Sequence, residues 1–455
     1  MITKKAKLYI KRAILLVLAF ALEGLLGFLL INGIANNDLA KSKVIVLIVI
    51  LMLLIPTSLV ALLFLLTYRN KNRRRSLKLT SNMARGKADD SDDEVVTDRF
   101  CMLSAIDRKR NSYGHSSYKQ NVTLEEFCDN FRNYAAYRHG LYYDIEDIRR
   151  FIAGMSVSHM LILQGMSGTG KTSLAHAIGS FVDNSSTIIP VQPMWKERTD
   201  LIGYYNEFTR RFNETLLLTK MYEANYSNDI YVTVLDEMNI ARVEYYFAEF
   251  LSLLELPNPD ERYLDVVSDK WDNDPVQLKD GRIKLPTNMW FVGTANNDDS
   301  TFLISDKVYD RAMILDLDQK TERFVAPPTE KMIISAEEFD ILVESAKKEY
   351  EISARNRRRL ELFDEYLISH FHVTFGNRIM KQILTYIPVY IACGGDELFA
   401  LDDILSKKVI RKLESQNPIY FKNAADGLIA YMDDLFGAEN MISCKEHIKR
   451  ILRNA

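Results

Sequence analysis

Residues 13–31 and 44–67 are apolar almost throughout, the first interrupted only by Glu23 and the second holding no charge. Each is long enough as a helix to cross a hydrocarbon layer of roughly 30 Å, so the pattern predicts two membrane helices joined by a short loop. From residue 69 to about 120 large apolar residues are scarce, which predicts a flexible linker. Helical spacing resumes after Thr123, an expected cap, with Leu124, Phe127, Cys128, Phe131 and Tyr134 on one face, and a short helix is expected over 145–155. From 145 to about 317 apolar runs at 159–163, 230–235, 289–295 and 312–317 alternate with helix-compatible ones. That alternation predicts an α/β fold, a five-stranded parallel sheet flanked by helices. Beyond about 326 the segments are amphipathic and helical, and 375–379 open a helix bearing Ile379, Ile383, Leu384 and Ile387. The expected organisation is an anchor at 1–78, a linker at 79–120, an α/β core at 121–325 and a helical lid at 326–455.

Composition adds little, because the formal net charge of -3 gives no global attraction to nucleic acid. The distribution of charge says more. Lys4, Lys5, Lys7, Lys11 and Arg12 precede the first apolar stretch, while Arg69, Lys71, Arg73, Arg74, Arg75 and Lys78 follow the second. Both flanks are therefore expected in the cytoplasm, with the chain held in a bacterial inner (cytoplasmic) membrane. Glu23 is costly in lipid and is expected either to face a neighbouring helix or to be protonated. The basic block gives way to the acidic run 89–94, as befits a solvated linker. Four scattered cysteines, Cys101, Cys128, Cys393 and Cys444, lack the paired spacing of a zinc site and fit reduced thiols.

The candidate chemistry begins at Gly165-Met166-Ser167-Gly168-Thr169-Gly170-Lys171-Thr172, a G-x-x-x-x-G-K-T loop between an apolar run and a helix. Glycines at 165, 168 and 170 let the backbone curl so that its N–H groups, those of Ser167 and Thr169 included, cradle phosphate oxygens. Lys171 is expected on the β- and γ-phosphates and Thr172 on Mg2+. A second motif, Asp236-Glu237, ends the run 230–235, where ligands bind in sheets of this kind. Asp236 suits magnesium, and Glu237 suits orienting and deprotonating a water. The run 289–295 ends in Asn296, whose amide can hold that water beside the γ-phosphate.

Together these motifs resemble the AAA+ ATPases, within them the clade of MoxR-type chaperones, dynein motor modules and McrB-type restriction NTPases. The stretch 235–255 looks most like the McrB side, and the resemblance covers roughly 144–414. It implies that Asn296 is sensor 1, that Arg311 in Asp310-Arg311-Ala312 is the arginine finger reaching a neighbour's nucleotide, with Lys307 a weaker candidate, and that Arg378 is sensor 2, over the γ-phosphate from the lid side. The residues 294–300 depart from the signature linked to GTP, so ATP with Mg2+ is the expected ligand pair. Ile240 stands where MoxR-type proteins usually carry arginine. Residues 195–205 are expected as a helix-and-loop insertion facing a pore, where Tyr204 or Tyr205 either grips a partner or packs. The resemblance implies a homo-oligomeric ring, expected as a hexamer, that hydrolyses ATP to remodel or signal to a protein partner. The alternative is the NTPase subunit of an McrB-like defence or restriction system working with a separate nuclease, although no nucleic-acid-binding motif is visible. A switch without turnover is a third reading, and Glu237 argues against it.

Overall fold

The computed structural model describes residues 98–296, 301–318 and 321–454, all within the unit Val96–Ala455. Both stretches expected to cross a membrane, 13–31 and 44–67, lie outside the described residues. Among the described residues no helix is long and apolar enough to do so.

The strands, in chain order, are β1 Met160–Gly165, β2 Thr187–Pro190, β3 Gly203–Asn206, β4 Arg211–Glu214, β5 Tyr231–Asp236, β6 Tyr263–Asp265, β7 Leu278–Lys279, β8 Arg282–Lys284, β9 Met289–Asn296 and β10 Met313–Asp316. Helices of seven residues or more are α1 Met102–Arg108, α2 Leu124–His139, α3 Ile145–Val157, α4 Lys171–Phe181, α5 Leu216–Ala224, α6 Ala248–Leu254, α7 Ala336–Glu349, α8 Ala354–Phe371, α9 Gly376–Ala392, α10 Glu397–Lys408, α11 Pro418–Phe436 and α12 Ile442–Asn454. The central sheet has five strands in the order β10-β1-β9-β5-β2, and every ladder in it is parallel.

Strands buried on both faces read as continuous apolar runs, which is why the sequence announces β1, β5 and β9 so clearly. Their side chains alternate between two cores. Leu161, Leu163, Val232, Val234, Val292 and Leu315 face one cluster, while Met160, Ile162, Tyr231, Leu235, Phe291 and Ile314 face the other. At about 1.5–3 kcal/mol for each large buried side chain, these two layers are the main source of stability. Helix α2 starts where Thr123 Oγ1 accepts from Glu126 N–H at 3.1 Å and ends at Gly140, as its cap and apolar stripe predict.

The first cluster runs without a break from α2 and α3 through the sheet into the lid helices α8 to α12. A buried polar tie reinforces it. The Asp403 carboxylate of α10 accepts from Tyr386 Oη of α9 at 2.6 Å, and it pairs with Lys407 at 2.7 Å and Arg150 of α3 at 3.4 Å. Burial pushes the Asp403 carboxyl up, but Lys407 and Arg150 outweigh it and hold the group below the usual carboxylate range. The helix following residue 326 stays with the sheet, since Phe339 of α7 packs edge-on against Trp290 of β9 at 5.8 Å.

Two expectations need correction. The linker expected over 79–120 gives way to ordered chain from residue 98, because a few well-placed side chains suffice to fix it. Phe100, Leu103 and Ile106 are buried in the second cluster. Arg99 is 2% exposed, bonded to Asp274 at 2.7 and 2.6 Å and to Asp269 at 2.9 Å, and stacked 4.5 Å over Trp271. Glu214, at the end of β4, accepts from the backbone N–H groups of Cys101, Met102 and Leu103 and so caps α1. The second correction concerns 195–205, which is not a helix and loop alone: Thr199–Ile202 makes one helical turn, and β3 and β4 then form an antiparallel hairpin. Tyr205 packs against Trp271 at 6.1 Å, whereas Tyr204 is half-exposed and Phe208 at the tip is fully exposed.

Removing Arg99 strands the buried carboxylate of Asp274. Arg99→Ala is therefore expected to destabilise this unit by about 3 kcal/mol or more, read from chemical denaturation followed by tryptophan fluorescence. An unchanged midpoint would mean that residues 98–108 are not part of the fold.

Candidate active site

The parallel register lines up the ends of neighbouring strands. Gly165 of β1 pairs with Asn296 of β9, Leu235 of β5 with Gly293, and Gln164 with Asp316 of β10. The phosphate loop, the acidic pair and Asn296 thus meet at the carboxyl edge of the sheet, where such folds bind ligands.

Close packing dictates the glycines at the ends of the loop. A Cβ on Gly165, at φ 141°, would lie 2.6 Å from the Leu317 carbonyl oxygen, and one on Gly170, at φ 90°, would lie 3.0 Å from Tyr143 Oη. The Tyr143 hydroxyl donates to Gly170 O at 2.9 Å. Between them Met166, Ser167 and Gly168 are exposed, and Thr169 Oγ1 donates to Met166 O at 3.0 Å. Lys171 opens α4 and is 6% exposed, with Nζ donating to the carbonyls of Gly165 at 2.9 Å and Met166 at 2.7 Å. A buried ammonium folded over the loop, beside the exposed residues 166–168 and the N-terminus of α4, is a donor set suited to a polyphosphate.

The acidic pair is held just as closely. Asp236 Oδ1 accepts from Thr172 Oγ1 at 2.7 Å and from Thr294 Oγ1 at 2.9 Å. Thr294 Oγ1 in turn accepts from Glu237 N–H at 2.9 Å. Glu237 has φ 52° and ψ 47°, a left-handed conformation that costs a non-glycine residue about 1–3 kcal/mol and is commonest at functional sites. Buried Asn239 donates to the backbone carbonyl of Asn296 at 2.9 Å and to that of Phe302 at 3.3 Å, fixing the end of β9. The hydroxyl of Thr172 with the carboxylate of Asp236 makes an oxygen pair of the kind Mg2+ takes. Thr294 and Asn239 were invisible as site residues: a threonine in a strand reads as a β-branched filler, and only its register beside Asp236 reveals its work.

A cavity of about 960 Å³ opens between the core and the lid, lined among others by Asp316, Asp318, Phe324, Asp403, Lys407 and Arg450. It adjoins the loop, since Asp318 Oδ1 lies 2.8 Å from the position of a Cβ on Gly165. Burial, with Asp316 beside it, holds the Asp318 carboxyl above the usual range against Arg450 and Lys171.

The two arginines lie elsewhere. Ser158 Oγ, ahead of β1, donates to Arg311 O at 2.9 Å, so Arg311 stands at the amino edge of the sheet. The length of β1 then separates it from Gly165, roughly 20 Å at about 3.3 Å per residue, too far for an arginine side chain to span. Arg311 Nε pairs with Glu255 at 3.1 Å, and Arg378, at the start of α9, pairs with the same carboxylate at 2.7 Å. Arg378 therefore sits beside Arg311. Spacing along the chain gave no sign of this, because Glu255 brings together two residues far apart in sequence. Lys307 is exposed on the single helical turn Asp306–Tyr309. Residues 297–300, part of the stretch that bears on nucleotide choice, lie outside the described residues.

Residues 160–312 match the family described as AAA domain (dynein-related subfamily). No curated protein matches the chain. Among solved structures it is similar to a candidate ATPase from Cytophaga hutchinsonii ATCC 33406, at 14% identity and a TM-score of 0.38, with 78% of this chain and 96% of that one covered. It is also similar to a full-length MCM homolog from Methanopyrus kandleri, at 11% identity and a TM-score of 0.34, covering 61% and 58% of the two chains. The phosphate loop, the acidic pair, Asn296 and four of the five central strands fall inside the stretch that matches this AAA domain family.

Proposed function

We propose that this chain hydrolyses ATP with Mg2+ as a homo-oligomeric ring, expected to be a hexamer, tethered to the cytoplasmic face of a membrane by residues 13–31 and 44–67, and that turnover remodels or signals to a protein partner. The hydrolase reading is carried by one observation: Asp236 Oδ1 takes both Thr172 Oγ1 and Thr294 Oγ1, and Thr294 also fixes the strained backbone of Glu237.

In this reading Lys171 exchanges the carbonyls of Gly165 and Met166 for the β- and γ-phosphates, because an ammonium gains more from an anion than from neutral oxygens. Thr172 and Asp236 hold Mg2+, which when bound neutralises charge developing on the transferred phosphoryl group. Glu237 orients a water and accepts its proton as oxygen attacks the γ-phosphorus and the bond to the β-phosphate oxygen breaks, leaving ADP and phosphate. Asn296 holds the same water. Arg311, roughly 20 Å from its own loop, completes the site of a neighbouring subunit, and Arg378, paired to the same Glu255, accompanies it. The tether rests on the sequence: two apolar stretches, each flanked on its cytoplasmic side by lysine and arginine.

Lys171→Ala is expected to abolish nucleotide binding. Glu237→Gln should bind normally but turn over at least about 100-fold more slowly, and Thr294→Val should lose about 10–100-fold in turnover through the residues it positions. Steady-state ATPase beside nucleotide affinity checks all three, and normal turnover in Glu237→Gln sinks the hydrolase assignment. For Arg311→Ala the expectation is a loss of about 1,000-fold in turnover with affinity retained; full activity in a monomer would rule out the shared site. Deleting residues 1–78 should move the protein from the membrane pellet to the soluble fraction, and a deleted protein still in the pellet would refute the tether.

A further inference from the structure

The segment Tyr309–Ala312, which presents Arg311, is held from the lid. Lys408, the last residue of α10, is 2% exposed, and its Nζ donates to three backbone carbonyls of that segment: Tyr309 at 2.7 Å, Asp310 at 3.4 Å, and Ala312. Gln382 of α9 adds a bond from Nε2 to Asp310 O at 3.3 Å. The guanidinium of Arg411 lies 3.4 Å from the centre of the Tyr309 ring. From the other side, Tyr309 Oη donates to Gln164 Oε1 at 3.0 Å, and Gln164 is the residue directly before Gly165. One short segment therefore touches the lid, the root of its own phosphate loop and the arginine meant for the neighbour.

A lysine buried on backbone carbonyls is a costly way to hold a turn. Burial pushes Lys408 down to about 7, Asp310 works against that, and Arg378, Lys412 and Arg411 add to it. Three carbonyls nevertheless call for the three N–H groups of an ammonium, which a neutral hydrocarbon side chain could not satisfy. Such a clasp fixes the height of the turn relative to α10, so that any tilt of the lid carries the base of Arg311 with it.

We infer that Lys408 is a positioning residue: it ties Arg311 to the lid of its own subunit, so that the lid of one subunit governs catalysis at the site of the next. The inference rests on the proposed ring with a shared site and adds to it the element that sets the reach of the arginine. A misplacement of about 1 Å at a reacting centre can cost about 100-fold, and the clasp acts at that scale.

The test mixes full-length subunits that are inactive for different reasons. Lys408→Met should bind ATP within about twofold of the parent but turn over about 100-fold more slowly. Its own Glu237 is intact and its defect lies in what it offers a neighbour. Equimolar mixing with Glu237→Gln, whose Lys408 and Arg311 are intact, should therefore restore activity at about a quarter of the sites, those pairing a sound Glu237 with a sound neighbour. Gln382→Leu removes only the bond to Asp310 and should lose about tenfold, with the same rescue, in a protein that keeps Lys408. Arg311→Ala mixed with Glu237→Gln is the control. If that control regains activity while neither Lys408→Met nor Gln382→Leu does, Lys408 has no role across the interface and the inference falls, with the proposed ring intact. If the control stays inactive, the shared site itself is wrong and the inference goes with it.

Discussion

The organisation of the site depends on one carboxylate oxygen. Asp236 Oδ1 receives hydroxyl groups from the first turn of α4 and from β9, and it sits at the end of β5. Hydrogen bonds to a charged acceptor contribute about 1.5–3 kcal/mol each, enough to lock three elements into one geometry. The parallel ladders bring those elements to the same edge, and the carboxylate fixes their side chains to within hydrogen-bond tolerance. Thr294 passes the order on, since its oxygen also takes the Glu237 N–H and so stabilises a backbone conformation that Glu237 would not adopt by itself.

That arrangement also explains why half of the proposed chemistry has to come from outside. The carboxyl edge gathers lysine, threonine, two acids and an amide, and the arginine that would balance phosphoryl charge stands at the opposite edge, behind Ser158. A strand of six residues is rigid, so no local motion closes a gap of roughly 20 Å. In the proposed ring a second subunit supplies that arginine.

What the sequence made legible follows from which signals are local. The loop 165–172 is a contiguous motif, the strands β1, β5 and β9 are unbroken apolar runs, and Asp236, Glu237 and Asn296 end them; each can be read without knowing any partner. Thr294, Glu255 and Lys408 act through partners 56 to 123 positions away, and nothing in their immediate neighbours marks them. The segment from residue 98 failed for the same reason. Its composition is that of a linker, but Arg99 finds Asp269 and Asp274 across 170 and 175 positions, and three apolar residues find a core assembled elsewhere. The hairpin β3–β4 lacks a strong two-residue turn signal, so its tyrosines read as helix or loop.

Glu255 brings a difference of strength that the proposed cycle needs. It pairs with Arg311 and Arg378, whose side chains are 28% and 52% exposed, while Glu255 is itself 26% exposed. Ion pairs partly open to water are weaker than fully buried ones, so in the proposed ring exchanging Glu255 for the phosphates of a neighbour costs less than breaking a buried group. The ties that hold the lid are of another kind. Asp403 with Lys407 and Arg150 is buried, and breaking such a group leaves an uncompensated charge at a cost of about 3–5 kcal/mol. The guanidinium groups are thus held loosely while their foundations are held firmly. In the proposed ring, arginines held this way change partners on assembly without loosening the lid.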